Sequence, residues 1–255
     1  MAGKKKDTSL LHHLIGSRSL VWNLAKNDIK KKFAGSYFGV VWAFVQPVIT
    51  VLLYWFVFEK GLNSKATDLR TGIEIPFVLW LTAGLVPWFY FQEALNGGTG
   101  VLVEYSYLVK KVVFQIDMLP VVKMISALFT HLFFVAFTIV LFICMGYMPD
   151  WYALQVIYYS FCMILFATGL VYATSAVTVF FRDMKEVVGI LLQIGMWVTP
   201  IMWNFETMVQ IPGWAIAVLK LNPMYYIVSG YRNALINHIG FWEDMGLTVY
   251  FWVVT

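Results

Sequence analysis

Charge is what this sequence has least of. Lys, Arg, Asp and Glu make up 13% of its 255 residues, whereas 60% are hydrophobic. A water-soluble domain carries about 25% charged residues. With a mean hydropathy of +0.74, the chain has too little polar side chain to cover its apolar surface. That excludes a soluble globular domain and places the chain in lipid. Cysteine is nearly absent as well. Cys144 and Cys162 are the only two, each inside an apolar run. They form neither a disulfide framework nor a metal motif, and they read as small buried hydrophobes.

Clusters that carry chemistry are missing too. Metal-dependent glycosyl or phosphoryl transfer needs grouped carboxylates, but there is no Asp-x-Asp, and the one adjacent acidic pair is Glu243-Asp244. Intramembrane proteolysis would need paired Asp, Ser with His, or His-Glu-x-x-His. His131 stands by itself in an apolar run and reads as a packing or hydrogen-bonding residue. Leu95-Asn96-Gly97-Gly98-Thr99-Gly100 is glycine-rich but lacks the lysine and spacing of a phosphate-binding loop. No catalytic residue, metal site or cofactor is expected on this chain. Lys4, Lys5 and Lys6 resemble the start of a signal peptide, but Leu10–Ile15 contains His12 and His13 and leads to no small-residue cleavage site.

What is present is a series of long apolar runs. A bilayer core takes roughly 20 residues of helix. Tyr37–Phe58, Pro76–Gly97, Leu119–Met145, Trp151–Phe181 and Val187–Trp203 meet or approach that length. A sixth run starts near Leu247 and is still apolar at Thr255, too short to span, which reads as a last helix cut inside its length. The expected fold class is therefore an all-α polytopic membrane protein with six transmembrane helices, the last truncated. In this division residues 1–36 are a cytoplasmic tail and interface helix, 37–203 hold spans one to five, 204–244 are an extracytoplasmic segment, and 245–255 begin span six, all within one transmembrane domain.

The charges that exist are unevenly placed. With the N-terminus inside, the cytoplasmic segments hold Lys4, Lys5, Lys6, Arg18, Lys26, Lys30, Lys31, Lys32, Lys110, Lys111, Lys123, Arg182 and Lys185. The outer segments hold Lys60, Lys65, Arg70, Lys220 and Arg232. This asymmetry orients the chain N-terminus in. A net charge of +4 concentrated in this way belongs to anionic lipid head groups, and no nucleic-acid partner is expected. Val21, Trp22, Ala25, Ile29 and Phe33 recur at helical spacing with Lys26, Lys30 and Lys31 on other faces, the pattern of an amphipathic helix lying at the membrane interface.

Residues 204–244 are too apolar for a free loop, and Pro212-Gly213 and Asn222-Pro223 break them into short pieces. Trp214–Leu221 and Met224–His238 read as re-entrant helices in the outer leaflet, because Arg232 at a bilayer centre would cost about 2.5 kcal/mol or more. Irregular backbone at that depth needs cover from protein or water. Arg232 should therefore face protein, head groups or an anionic polymer.

Several stretches together resemble the membrane subunit of the type-2 ABC exporters that move teichoic acids and O-antigen polysaccharides. They are Lys26–Phe33 followed by Tyr37–Trp42, Pro76–Leu81, Gly84–Phe89, Tyr107–Lys111 with Leu119-Pro120, Phe180–Glu186, Thr199-Pro200-Ile201 and Leu221–Tyr225. The wording of Tyr226–Arg232 looks closest to the teichoic-acid branch. The resemblance implies a homodimer joined to two copies of a separate P-loop ATPase, which would bind Mg-ATP. It implies a channel between the two copies for a lipid-linked polysaccharide or teichoic acid, and residence in the bacterial cytoplasmic membrane.

A permease of this kind must receive force through short cytoplasmic elements. Tyr107, Lys110 and Lys111 in one loop, and Arg182, Asp183, Lys185 and Glu186 in the other, are the expected ATPase-coupling residues. Sugar rings stack on aromatic faces without demanding one sequence. Tyr37, Trp42, Phe44, Tyr54, Trp55, Trp88, Tyr90 and Trp197 are the stacking candidates, against the plainer reading of interfacial belts and helix packing. Pro212, Trp214, Asn222, Pro223, Tyr231 and Arg232 are the exit-gate candidates. Two alternatives remain at this stage. An ion-coupled carrier would use mid-membrane ionisable groups, of which Glu93 is the nearest example. A membrane-embedded transferase would act on lipid-linked sugars.

Overall fold

The computed structural model describes residues 18–32, 34–106, 116–203 and 212–255. Helix α1 covers Arg18–Lys32. A short 3-10 turn at Gly39–Val41 leads into α2, Trp42–Trp55, which continues as a π-helical stretch to Gly61. Two-residue strands β1 (Ala66–Thr67) and β2 (Glu74–Ile75) pair antiparallel, a small hairpin that the all-helical expectation did not contain. Helix α3 spans Phe77–Thr99 and is followed by the single turn α4, Val101–Glu104. Helix α5 covers Leu119–Cys144 and α6 covers Gln155–Phe180. Helix α7 covers Met184–Val198, α8 Gly213–Lys220, α9 Pro223–Arg232 and α10 Met245–Val254.

Among the described residues, three helical stretches are long and apolar enough to cross a membrane: Trp42–Gly61, Ile116–Cys144 and Trp151–Phe180. The chain is a multi-pass, mostly helical membrane protein. Helix α3 is the centre of the bundle, packed against α2, α5, α6, α7 and α9. It is buried almost all round, from Phe77 through Trp88 and on to Thr99. A helix that meets protein on every side can carry Thr82, Gly84, Gln92, Asn96 and Gly97 within its length without exposing them to lipid. Helix α6 buries one stripe: Val156, Tyr159, Met163, Ala167, Val171, Thr174 and Thr178. These positions recur at three- and four-residue steps, as one helical face requires.

Three closures set the crossings. A Cβ built on Gly98 would lie on Val171 Cγ1, and one on Gly230 would lie on the Tyr159 ring. The two glycines let α3 and α9 approach α6. Beside Gly98, Thr99 Oγ1 donates to Thr174 Oγ1 at 3.0 Å.

The helix expected at Val187–Trp203 runs instead over Met184–Val198, about 22 Å at 1.5 Å per residue. It stops because Pro200 bars the residue before it from helical backbone; Thr199 sits at φ −77°, ψ 123°. Cys162 is fully buried, but Cys144 is exposed at the end of α5, correcting the reading of both as buried. An apolar run in a membrane helix covers lipid-facing positions as well as inner ones, so the run alone does not assign a side.

The charged residues sort to two ends. At one lie α1, the last turn of α3, the start of α5 and the α6–α7 turn: Lys32 pairs with Glu93 at 2.7 Å and Lys123 with Asp28 at 2.6 Å. At the other lie the hairpin and the turns around α9. There Lys65 pairs with Glu74, Arg70 Nη1 donates to His238 O, and Leu69 N donates to Asn237 Oδ1.

Candidate functional site

At the α1 end, helices α1, α2, α3 and α5 border an open hollow of about 640 Å³. Asp28, Lys32, Gln46, Glu93, Glu104 and Lys123 are among the residues on its wall. A second hollow of about 390 Å³ shares Asn96, Gly97, Glu104 and Lys185 with it and reaches Arg182. The two form a crevice with charged residues on its wall that runs from α1, past the glycine-rich end of α3, to the turn between α6 and α7. Glycine matters here because Gly97 and Gly100 let the aliphatic stems of Lys123 and Lys185 lie against the α3 backbone, 3.6 and 3.7 Å from where a Cβ would stand.

The α6–α7 turn is tight. Met184 N donates to Phe181 O, and the N–H groups of Glu186 and Val187 donate to Asp183 O. Arg182, Asp183, Lys185 and Glu186 are all exposed, so this turn presents four charges outward. Tyr107, Lys110 and Lys111 lie outside the described residues.

At the opposite end the gate candidates divide. Pro212 and Trp214 are exposed, Trp214 by 72%. Asn222 caps α9 by accepting from Met224 N at 3.0 Å, and Pro223 fills the first helical position, where no amide donor is needed. The other face of Asn222 reaches back, its Nδ2 donating to Thr199 Oγ1 at 2.7 Å. Tyr231 is 1% exposed, with its hydroxyl 2.5 Å from Ser160 Oγ and 3.1 Å from His131 Nε2.

Arg232 faces protein. Its guanidinium donates to Pro200 O and Ile201 O, each at 2.7 Å, and lies over the Trp80 ring, 3.3 Å from the centroid. Pro200 and Ile201 lie in the turn beyond α7, outside its hydrogen-bond ladder, and Arg232 supplies donors to their carbonyls.

The aromatic candidates also divide. Tyr37, Trp42 and Trp197 are exposed; Phe44, Tyr54 and Trp55 are half-buried, with Phe44 packed on Phe133 at 4.2 Å between centroids. Trp88 and Tyr90 are 2% and 1% exposed, enclosed within the subunit. The periodicity of an all-apolar helix carries no signal for this division.

Known proteins are similar along most of this length. The family model described as ABC-2 type transporter matches residues 19–236. The chain belongs to the ABC-2 type transporter family. It is thus the membrane-embedded permease part of a type-2 ABC exporter. It is 25% identical over 229 residues to the O-antigen export system permease protein RfbA of Myxococcus xanthus, covering 90% of this chain and 85% of that one. Two permeases of the same name from Klebsiella pneumoniae are 21% and 20% identical, over 85% and 84% of this chain and 80% and 79% of theirs.

Sequence reasoning missed the residues that tie this ABC-2 permease together at the α1 end. The sequence marks Asp28 only as part of the Lys26–Phe33 family stretch, yet the residue is 7% exposed. One signal was available: Val21, Ala25 and Asp28 fall on one helical face.

Proposed function

We propose that this ABC-2 permease forms, as a dimer, the channel of an ATP-driven exporter for a lipid-linked cell-envelope polysaccharide, with O-antigen-like polymer as the first substrate class and teichoic acid as the second. The observation that carries the reading is similarity to an O-antigen export permease across 90% of the chain. In this reading two copies join two copies of a P-loop ATPase that binds Mg-ATP. The chain crosses the bacterial cytoplasmic membrane six times with its N-terminus inside. Helices α8 and α9 are re-entrant on the outer side and gate the exit.

Physical arguments support the arrangement. The basic residues gather at the α1 end, where Lys26, Lys30, Lys31, Lys32, Lys123, Arg182 and Lys185 lie, as a cytoplasmic face requires. A channel formed between two copies is lined by side chains that one copy leaves exposed. Of the stacking candidates, Tyr37, Trp42 and Trp197 are the exposed ones and so remain available to stack sugars, and Trp88 and Tyr90 serve the subunit's own packing.

Reconstitution tests the reading. The permease and its ATPase in vesicles should transfer lipid-linked O-polysaccharide only with ATP and only with both subunits. Polymer movement by the permease without an ATPase would favour an ion-coupled carrier. ATP hydrolysis with transfer of neither O-polysaccharide nor teichoic acid would overturn the substrate class.

A further inference from the structure

Helix α1 places a carboxylate where its neighbours are apolar. Val21, Ala25 and Asp28 share one face, and Val21 and Ala25 pack with Met118 and Val122 of the α5 start. A charge on a buried face is costly unless partners meet it. Asp28 has two: Tyr105 Oη donates to Oδ1 at 2.9 Å, and Lys123 Nζ at 2.6 Å. Lys123 also pairs with Glu104 at 3.0 Å, and its ammonium stands 5.4 Å from the centre of the Tyr105 ring. Tyr105 and Met118 are 3% and 1% exposed. They flank in sequence the stretch that carries Tyr107, Lys110 and Lys111, three of the expected ATPase-coupling residues. Both ends of that stretch therefore rest on α1, one by the Tyr105–Asp28 hydrogen bond, the other by the apolar contact of Met118 with Val21 and Ala25.

We infer that Asp28 is a positioning residue that makes α1 and both roots of the docking stretch move as one body. The inference rests on the proposed ATP-driven export. Apolar contact alone is non-directional and lets a helix slide or roll. A carboxylate gripped by a phenol and an ammonium fixes register. A push on the stretch at Tyr105 then turns α1, and α1 carries it to α3 through Lys32 and Glu93, 2.7 Å apart. An aliphatic residue at position 28 would hold α1 in place without transmitting that turn.

The test uses the permease–ATPase complex in vesicles and reads lipid-linked polysaccharide exported per ATP hydrolysed. Wild type must first show ATP-driven export; its failure would count against the proposed function and not against Asp28. Asp28→Asn and Tyr105→Phe should keep complex assembly and hydrolysis within about twofold, while export per ATP falls about tenfold, a coupling loss of the usual size. Tyr105→Phe leaves the ion pair intact, so it carries the test if Asp28→Asn does not assemble. Export and hydrolysis falling in parallel would show that Asp28 only holds the fold, and an unchanged ratio in both variants would show that packing suffices. Either result overturns the inference.

Discussion

A Cβ on Gly84 would stand 2.7 Å from Nη2 of Arg232. The absent side chain of α3 is the space in which the α9 guanidinium lies, and the guanidinium is fixed there by Pro200 O, Ile201 O and the Trp80 ring. Arg232→Ala should lower stability by about 3 kcal/mol or more, because the Pro200 and Ile201 carbonyls lose charged donors, Trp80 O loses a longer bond from Nε at 3.4 Å, and the Trp80 ring loses its cation. Arg232→Lys should recover only part of this, since an ammonium lacks the planar fork that meets both carbonyls. Gly84→Ala should cost about 1–3 kcal/mol as an overpacking change. The apparent unfolding midpoint in detergent measures all three. Equal midpoints for wild type and Arg232→Ala would mean that the carbonyls find other donors.

The α3–α6 crossing makes a paired prediction. Gly98→Ala should destabilise by about 1–3 kcal/mol because its methyl would meet Val171. Adding Val171→Ala should restore most of the loss, giving a coupling energy of about 1 kcal/mol or more in a double-mutant cycle. Simple additivity of the two substitutions would place the steric conflict elsewhere.

How much of this was readable beforehand follows from which signals are local. The Leu119–Met145 run became Leu119–Cys144, and Pro76–Gly97 became Phe77–Thr99, because helix limits depend on nearby Pro, Gly and charge. The stop at Val198 was also written locally, in Thr199-Pro200. What failed was long-range or had no contrast. Asp28 meets Tyr105 and Lys123 at separations of 77 and 95 residues, which no window of sequence contains. The buried stripe of α6, the enclosure of Trp88 and the exposure of Cys144 were hidden for a different reason. Lipid is as apolar as the protein interior, so the inner and outer faces of a membrane helix are written in the same residues.

The hairpin outside α2 and α3 makes a pH prediction. Burial pushes the Asp68 carboxyl up, but hydrogen bonds from the Thr71 hydroxyl and from the N–H groups of Arg70 and Thr71 outweigh it, with His238 adding a smaller favourable charge. The folded value is therefore below the ordinary one. A depressed carboxyl stabilises the fold above its unfolded pKa, about 3.9, and the stabilisation is lost as pH falls through the lower folded value. Hydrogen exchange at Arg70 and Thr71, corrected for intrinsic rates, should quicken as pH drops below about 4. Asp68→Asn should exchange faster at neutral pH and show no such step. A step that persisted in Asp68→Asn would assign it to another group.

The charged turn between α6 and α7 offers the most direct probe of ATPase coupling. Arg182, Asp183, Lys185 and Glu186 are exposed, and the turn is held by backbone bonds to Phe181 O and Asp183 O. Changing these side chains therefore removes no buried partner. Asp183 and Glu186 also stand at the α7 N-terminus, where each acidic group contributes about 0.3–1 kcal/mol with the helix dipole. Asp183→Lys with Glu186→Lys should thus lower the unfolding midpoint only slightly and leave membrane insertion intact. If the turn docks the ATPase, opposing charges that become buried in that interface are worth about 2 kcal/mol or more, which is a roughly 30-fold loss of association. Titration of the purified ATPase against vesicles holding the variant should show that loss, together with reduced export. Variant vesicles that bind the ATPase and export polymer as wild type does would make the turn a solvated connection between two helices and move the docking role to the loop of Tyr107, Lys110 and Lys111 alone.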